Sequence, residues 1–351
     1  MRGARARGHE VVGLCADGPL LDLPRAEGFR IMPVPMARSL DPRAQARAFR
    51  ALVAAFRAER FDLVHGHMPI SGLLARAAAR AAGVPRVAYT CHGFLFNQPG
   101  PLWRRGLSLA LERAAGRITD TFLTVSEEEA ADARRLRIHP RATAVPNGRD
   151  PAVFRPDPAA RAALRAELGA RPEDCVVAVV SRLVRHKGHP ELLEAMRAAP
   201  DNTVLWVVGD RLPTDHGETL EPHFARAAAA LGPRRLVRLG YRDDVPRVLA
   251  AADAFCLPSH FEGLPMSVIE AMLTGLPVVA TDIRGPREMV VGGETGLLVP
   301  PMRAAPLAEA LARLAADPAL RVRMGEAGRA RALERYTEAN TVARTLDLLG
   351  L

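Results

Sequence analysis

Four charged residues in the second half of the chain have the types and spacing to bind a ligand that carries both hydroxyl and phosphate groups. Glu262 and Glu270 lie eight positions apart in a segment that begins as a loop and is predicted to enter a helix near Pro265. A carboxylate inside so apolar a helix is costly to bury without a hydrogen-bond donor. Glu270 is therefore interpreted as an acceptor for ligand hydroxyls, the alternative being a partly exposed helix face.

The two basic residues follow the first predicted strand of the same half. Arg182 and Lys187 lie on a loop that ends at Gly188, where a guanidinium could bind phosphate oxygens in pairs and an ammonium could supply a movable point charge. Glu262 precedes a helix start, whose free N–H groups attract phosphate; the alternative is an acid that only stabilises the helix start. The combination predicts a diphosphate site.

The lysine content singles out one of these residues. Of the 48 basic side chains only Lys187 is a lysine, so arginine fills nearly every general surface role. Lys187 is therefore interpreted as functional, the alternative being chance. The formal net charge of +9 suits anionic partners, but the arginines are scattered and only 5% of the residues are aromatic, so no nucleic acid partner is expected.

Length and composition indicate a two-domain globular protein without a membrane span. The chain has 351 residues, 48% of them hydrophobic, and no uninterrupted apolar run of the roughly 20 residues that a span requires. Residues 1–8 are basic with no apolar segment after them, so no signal peptide is predicted and a cytoplasmic location is expected. The widely separated cysteines are predicted to be reduced core residues: Cys15, Cys91, Cys175 and Cys256.

Short apolar runs alternate with helical patterns along the chain, which predicts parallel strands covered by helices on both faces. The predicted strands are residues 11–15, 30–34, 63–67, 86–92, 122–125 and 142–145, then 176–181, 203–208, 236–239, 254–257, 277–281 and 296–299. The expected fold class is α/β, with two doubly wound Rossmann-like domains and a ligand site in the cleft between them. The predicted domains are residues 1–148, residues 149–335, which begin with a proline-rich connector, and a C-terminal helix at 336–351 that packs back on the first domain.

The second half resembles the nucleotide-sugar domain of glycosyltransferase family 4, which has the two-domain GT-B architecture. The Glu-x7-Glu motif of that family is matched by Glu262 and Glu270, its diphosphate-binding Arg and Lys by Arg182 and Lys187, and its pre-hinge Pro-Asn-Gly by residues 146–148. The first half is similar to the capsular-polysaccharide branch of the family. Residues 65–72 resemble its His-Thr-His-Thr-Pro-Lys-Ala-Gly motif, and residues 89–94 resemble its Thr-x-His-Gly-Phe segment.

The resemblance implies a retaining, metal-independent hexosyltransferase. It would move a sugar from a nucleotide-sugar, expected to be a UDP-sugar, to a glycan or polyprenyl-linked acceptor in cell-surface polysaccharide synthesis. No cofactor is implied, because the nucleotide-sugar is a substrate. The family's transfer implies front-face attack, in which the donor phosphate takes the proton of the acceptor.

The resemblance also implies roles for individual residues. Arg182 and Lys187 would stabilise the departing diphosphate, and Glu270 would accept the ribose hydroxyls. Glu262 and His92 would contact the transferred sugar and complete the catalytic set, although His92 could instead cap a helix or pack in the core. The other residues expected to bind substrate are Gly263, Leu264, Pro265, Met266, Asn147 and His67. For His67, as for His65, packing at a strand end is an equal alternative.

Departures from the family pattern leave the sugar and the acceptor open. Gly66 and Ile70 replace the threonine and lysine of the branch motif, and Leu95 stands where a histidine often follows Gly-Phe. Residues 8–11 resemble the approach to the family's second strand. The usual first strand and its glycine-rich loop are therefore expected to be missing, through a misassigned start codon, a fragment or a natural variant.

Residues 101–113 mix an indole, leucines and arginines. This pattern predicts either a helix that lies on the anionic inner face of the plasma membrane or an ordinary surface helix with a buried leucine face. Two other functions stay open, namely an inactive nucleotide-sugar-binding remnant and a GT-B sugar-nucleotide epimerase. A dinucleotide oxidoreductase is disfavoured, because no Gly-x-Gly-x-x-Gly follows a strand.

Overall fold

A computed structural model describes residues 1–36, 41–98, 100–212, 215 and 217–351. Contacts within the chain divide it into two units. Unit 1 comprises Met1–Pro146 and Thr341–Leu351, and unit 2 comprises Asn147–Asn340. In the part of the chain described, no helix combines the length and the apolar character needed to cross a bilayer.

The described residues of unit 1 form six strands, and every strand pair is parallel. The strands are β1 (Val12–Cys15), β2 (Arg30–Pro33), β3 (Leu63–His67), β4 (Arg86–Cys91), β5 (Thr121–Thr124) and β6 (Thr143–Ala144). The helices are α1 (Arg2–Ala6), α2 (Asp22–Ala26), α3 (Pro42–Glu59), α4 (Pro69–Ala82), α5 (Leu102–Gly116) and α6 (Glu127–Arg135). The strands form two sheets, β1-β2 and β3-β4-β5-β6, rather than one.

Helix α3 shows how local sequence sets the elements of this unit. The Asp41 carboxylate accepts hydrogen bonds from the backbone N–H groups of Arg43 and Ala44, which caps the helix start. Leu52 and Phe56, one helical turn apart, are buried in a cluster that also contains Val64 of β3. The apolar face of α3 is therefore buried against β3 and against Ala78 and Ala79 of α4.

In unit 2 the residues for which the structure is described form one six-stranded parallel sheet, in the order β12-β11-β10-β7-β8-β9. Its strands are β7 (Cys175–Val180), β8 (Thr203–Val208), β9 (Leu236–Gly240), β10 (Ala254–Leu257), β11 (Val278–Thr281) and β12 (Gly296–Val299). Its helices are α7 (Pro158–Glu167), α8 (His189–Ala198), α9 (Glu221–Arg235), α10 (Val245–Ala251), α11 (Met266–Leu273), α12 (Pro286–Met289), α13 (Ala304–Ala316) and α14 (Pro318–Arg335). All residues of β8 are buried, because helices cover both faces of the sheet.

The last helix, α15 (Glu338–Leu349), continues from unit 2 into unit 1. The Thr341 hydroxyl donates to the backbone oxygen of Pro146 at 2.8 Å. Further along, Val342 packs so closely against Gly3 that a β-carbon on that glycine would lie 2.2 Å from the valine side chain. The C-terminal helix therefore packs against the first residues of the chain within unit 1.

The α/β class and the strand positions agree with the prediction, which places both ends of each strand to within one residue. Strand β6 is only two residues long, shorter than the predicted run. All four cysteines are free thiols; three of them are buried and Cys15 is half-buried. The division of unit 1 into two sheets was not predicted.

Candidate functional site

Two loops of unit 2 meet where the strand order of its sheet reverses. The reversal falls between β7 and β10, and open parallel sheets bind ligands beyond the carboxyl ends of the strands at such a point. Residues 181–188 follow β7 and residues 258–265 follow β10. The backbone N–H of His260 donates to the backbone oxygen of His186 at 2.8 Å, and the His186 and Phe261 rings stack with centroids 4.6 Å apart.

A glycine allows the two loops to approach so closely. Gly188 has a φ of +76°, and a β-carbon at this position would lie 1.9 Å from the backbone oxygen of Pro258. Only glycine fits such a conformation and contact without a shift of the backbone. Gly285 supports the next part of the loop in the same way, because its β-carbon would lie 1.7 Å from the backbone oxygen of Gly263.

The contact between the loops brings Lys187 to Glu262. The Lys187 ammonium donates to Glu262 Oε1 at 2.6 Å, and the Ser259 hydroxyl donates to the same oxygen at 2.6 Å. Ser259 is fully buried, whereas Lys187 and Glu262 are half-buried. A cation and an anion therefore lie side by side at the edge of the sheet, held by a serine that sequence analysis missed.

Arg182 lies on the same loop but pairs elsewhere. Its guanidinium forms an ion pair with Asp215, whose carboxylate also accepts from the backbone N–H of Leu212 at 2.9 Å. The backbone oxygen of Arg182 lies 3.1 Å from Nε2 of His189. Burial lowers the pKa of His189 to about 4, so this ring supports the loop as a neutral group.

Glu270 lies within α11 and has a partner that sequence analysis did not identify. Arg149 donates through Nε to Glu270 Oε1 at 2.7 Å. Burial raises the pKa of Glu270, and the Arg149 guanidinium opposes that rise. Asn147, two residues before Arg149, donates to the backbone oxygen of Leu264 at 2.8 Å. Residues 147–149 therefore contact both the loop and the helix of the Glu-x7-Glu segment.

Three histidines cluster in unit 1 at the carboxyl ends of β3 and β4. His65 Nε2 lies 2.7 Å from the Thr90 hydroxyl, and His67 Nδ1 lies 3.2 Å from His92 Nε2. Desolvation and the neighbouring imidazoles lower the pKa of the half-buried His65 to about 3 and also lower that of the more exposed His67, and desolvation lowers the pKa of His92. The cluster is therefore neutral near pH 7, and each ring can both donate and accept a hydrogen bond.

The predicted site residues thus fall into separate groups. Lys187 and Glu262 are in direct contact. Glu262 is linked along the chain to Glu270 by a segment that begins with Gly263, Leu264, Pro265 and Met266. Asn147 contacts this segment by donating to the backbone oxygen of Leu264. Arg182 shares their loop but turns to Asp215. His67 and His92 are together in unit 1. Among the residues described, no group of three or more His, Cys, Asp or Glu is arranged to hold a metal ion.

Comparison with known proteins covers nearly the whole chain. Residues 160–331 match the family described as Glycosyl transferases group 1, and residues 1–153 match Glycosyltransferase Family 4. The chain is 30% identical over 294 residues to the UDP-Gal:alpha-D-GlcNAc-diphosphoundecaprenol alpha-1,3-galactosyltransferase of Escherichia coli, which covers 80% of this chain and 73% of that protein. It is 33% identical over 313 residues to the alpha-maltose-1-phosphate synthase of Mycolicibacterium smegmatis, covering 83% and 79%.

The fold has close counterparts among solved structures. The crystal structure of Anabaena Alr3699/HepE in complex with UDP superposes with a TM-score of 0.80 and 23% sequence identity, covering 97% of this chain and 91% of that one. That likeness establishes the architecture, and the two curated relatives establish the family. The chain is thus a member of glycosyltransferase family 4, with the GT-B fold.

Proposed function

We propose that this glycosyltransferase moves a sugar from a UDP-sugar to a glycan or lipid-linked acceptor, with retention of anomeric configuration and without a metal ion. The observation that carries the proposal is the contact between Lys187 and Glu262 at the point where the strand order reverses. A pyrophosphate needs cations and a sugar needs hydrogen-bond acceptors, and this contact supplies one of each. UDP is the chosen nucleotide because the similar Anabaena structure contains it and the Escherichia coli relative is named for a UDP-sugar.

Charge on the leaving group gives the basic residues their role. Cleavage of the bond between the anomeric carbon and the phosphate oxygen places additional negative charge on UDP. Lys187 and Arg182 would bind this charge more strongly in the transition state than in the ground state, which lowers the barrier. Both have acidic partners here, so pyrophosphate would compete with Glu262 for Lys187 and with Asp215 for Arg182.

Retention follows from the geometry of attack that we propose. The acceptor oxygen bonds to the anomeric carbon on the face from which UDP departs, and the acceptor proton passes to an oxygen of the leaving phosphate. Glu262 and the backbone of residues 263–266 would hold the transferred sugar, and Glu270 would accept the ribose hydroxyls. The role of His92 at the donor sugar stays a prediction, as does that of His67.

We also propose that the acceptor is lipid-linked and that the enzyme works at the cytoplasmic face of the plasma membrane, in the synthesis of a surface polysaccharide. The name of the Escherichia coli relative supports a diphosphoundecaprenol acceptor. In unit 1, helix α5 exposes an apolar face with no covering element among the described residues. Trp103, Leu107 and Leu111 are 64%, 54% and 41% exposed.

The charges around this face suit an anionic bilayer. The exposed face continues through Ala110 and Ala114, and the exposed Arg104 and Arg117 lie at its rim. The one acidic residue of the helix, Glu112, is turned into the core, where it accepts from Arg76 at 2.9 Å. An apolar face with a basic rim and no exposed acid can insert its indole and leucines while the arginines bind lipid phosphates.

Activity assays on three variants test the transferase proposal. Lys187→Met, Arg182→Met and Glu270→Gln should each lower sugar transfer, measured with a panel of UDP-, GDP- and ADP-sugars and a lipid-linked acceptor extract. We expect losses in kcat of about 10²-fold or more for the two cations, as for other preorganised groups that stabilise developing charge. The control is Arg197→Met, an exposed arginine of α8 whose one ion pair with a described residue is to Glu194 of the same helix. Turnover equal to wild type in all three variants would overturn the proposal.

A further inference from the structure

We propose that Arg149 is a positioning residue for Glu270 and that it makes nucleotide binding depend on the ribose hydroxyls. The inference rests on the proposed function only in assigning Glu270 to the ribose. Arg149 belongs to neither the Glu-x7-Glu motif nor the basic loop after β7. It comes from the connector, 121 positions before its partner.

The contact with Arg149 occupies one carboxylate oxygen of Glu270 and leaves the other available to a ligand. Arg149 Nε donates to Oε1 of Glu270, and no donor to Oε2 is found among the described residues. The Glu270 side chain is 8% exposed and that of Arg149 is 42% exposed. The arginine therefore neutralises a buried acid from the solvent side at little desolvation cost of its own, and it fixes the rotation of the carboxylate so that Oε2 remains for a ligand.

The backbone of Arg149 is fixed on both sides, so its side chain starts from a defined place. Its N–H donates to the backbone oxygen of Tyr336 at 2.9 Å, and its own backbone oxygen accepts from the N–H of Glu338 at 2.9 Å. Tyr336 is buried. The two bonds fix the point of the backbone from which the side chain reaches Glu270, and the planar guanidinium limits the freedom lost per hydrogen bond.

The charge state of Glu270 explains why ribose recognition needs the arginine. An ionised carboxylate accepts several hydrogen bonds, whereas a protonated one has lost part of that capacity to its own proton. Burial favours the protonated form of Glu270, and Arg149 is the cation that opposes it. Without Arg149 the acid would be both less charged and free to rotate, and the two ribose hydroxyls would lose an oriented acceptor.

A double-mutant cycle, in which the binding of two nucleotides is measured, tests the proposal. Dissociation constants for UDP and for 2′,3′-dideoxy-UDP, which lacks both ribose hydroxyls, are measured by calorimetry for wild type, Arg149→Met, Glu270→Gln and the double variant. Wild type should prefer UDP by about tenfold or more, the usual size of a lost hydrogen bond to a charged group. Arg149→Met should reduce that preference to about twofold while dideoxy-UDP binds as before, and it should have no further effect in the Glu270→Gln background.

The controls separate positioning from folding and from the proposed function. Arg155→Met, an exposed arginine of the same connector, should keep the wild-type preference. Arg149→Lys keeps a charge without the planar Nε donor and should lower the preference by about threefold or more, so it carries the test if Arg149→Met does not fold. An unchanged preference in the folded Arg149 variants would overturn the inference alone. A wild type that binds UDP but shows no preference would overturn the assignment of Glu270 to ribose, and the inference with it.

Discussion

The histidines of unit 1 are the titratable side chains with the clearest consequence for pH. His65 lies in the middle of β3, where its ring contacts Thr90 and is tilted relative to the ring of His67, with the two centroids 4.2 Å apart. Protonation of His65 would place a charge in a half-buried position near two other imidazoles, so desolvation and these neighbours lower its pKa from 6.5 to about 3. The folded protein therefore excludes a proton that the unfolded chain accepts.

This difference predicts a loss of stability in mild acid. Because the folded pKa is the lower one, the contribution of His65 is fully present above pH 6.5 and is lost as the pH falls towards 3. His65→Gln cannot take up the proton, so the fall in the free energy of unfolding between pH 7.5 and pH 5 should be smaller in this variant. Urea denaturation followed by circular dichroism at both pH values measures it. An equal fall in variant and wild type would contradict the prediction.

At this scale the sequence indicates which residues carry charge into the site, but not what each one pairs with. Glu270 is conspicuous because a carboxylate stands among apolar helix residues. Its partner Arg149 is 121 positions away and is one of many arginines, so no local pattern marks it. The same holds for Asp215, which pairs with Arg182 from 33 positions away. Long-range pairing depends on the fold, and only the coordinates show it.

At the scale of single elements, α5 has an apolar face that no described element covers. Its indole is a convenient reporter, since the only other tryptophan, Trp206, is fully buried in β8. Any change in the polarity around a tryptophan on contact with vesicles should therefore come from Trp103.

We expect the fluorescence emission of the protein to shift to shorter wavelength with phosphatidylglycerol vesicles and not with phosphatidylcholine vesicles. Trp103→Phe should abolish the shift. Arg104→Glu with Arg117→Glu should weaken binding by about tenfold or more, because each basic residue near an anionic surface contributes about 1 kcal/mol. The control pair is Arg313→Glu with Arg323→Glu, which makes the same charge change at exposed positions of α13 and α14 in unit 2. Equal loss in both pairs would indicate a general charge effect and contradict a role for α5.

A strand could be predicted from the sequence where helices bury both of its faces. β7 is a continuous apolar run from Cys175 to Val180, as expected for a strand covered on both faces. Pairing between strands was not predictable, because it depends on contacts distant in sequence. β1 and β3 both have apolar patterns, yet each has a single strand partner in the described structure and they belong to different sheets.

At the scale of the whole molecule, the residues assigned to the nucleotide lie in one unit. Arg182, Lys187, Glu262 and Glu270 all belong to unit 2. UDP alone should therefore stabilise this unit, by about 2.7 kcal/mol when its concentration is 100 times the dissociation constant. Hydrogen exchange with and without UDP measures this region by region.

Protection should be greatest in residues 181–188 and 258–273, which contain the two contacting loops and α11. The edges of β1 and β3 in unit 1 should exchange faster than the fully paired β7, since unpaired backbone groups are open to solvent. Protection confined to unit 1 would contradict the placement of the nucleotide. The alternation of apolar runs with helical patterns predicted the doubly wound sheets. It did not predict that β1 and β3 would each have an unpaired edge in the described part of unit 1.

The solitary lysine has a practical consequence for chemistry on this protein. Apart from the amino terminus, Lys187 carries the one alkyl amine of the chain. Acylating or reductive-alkylation reagents therefore have a single side-chain target, and that target lies against Glu262 at the diphosphate position proposed here. A bound nucleotide should protect the Lys187 amine from the reagent. The fraction of labelled protein in a mass spectrum taken after brief reaction would therefore report how much of the site is occupied, without an engineered tag.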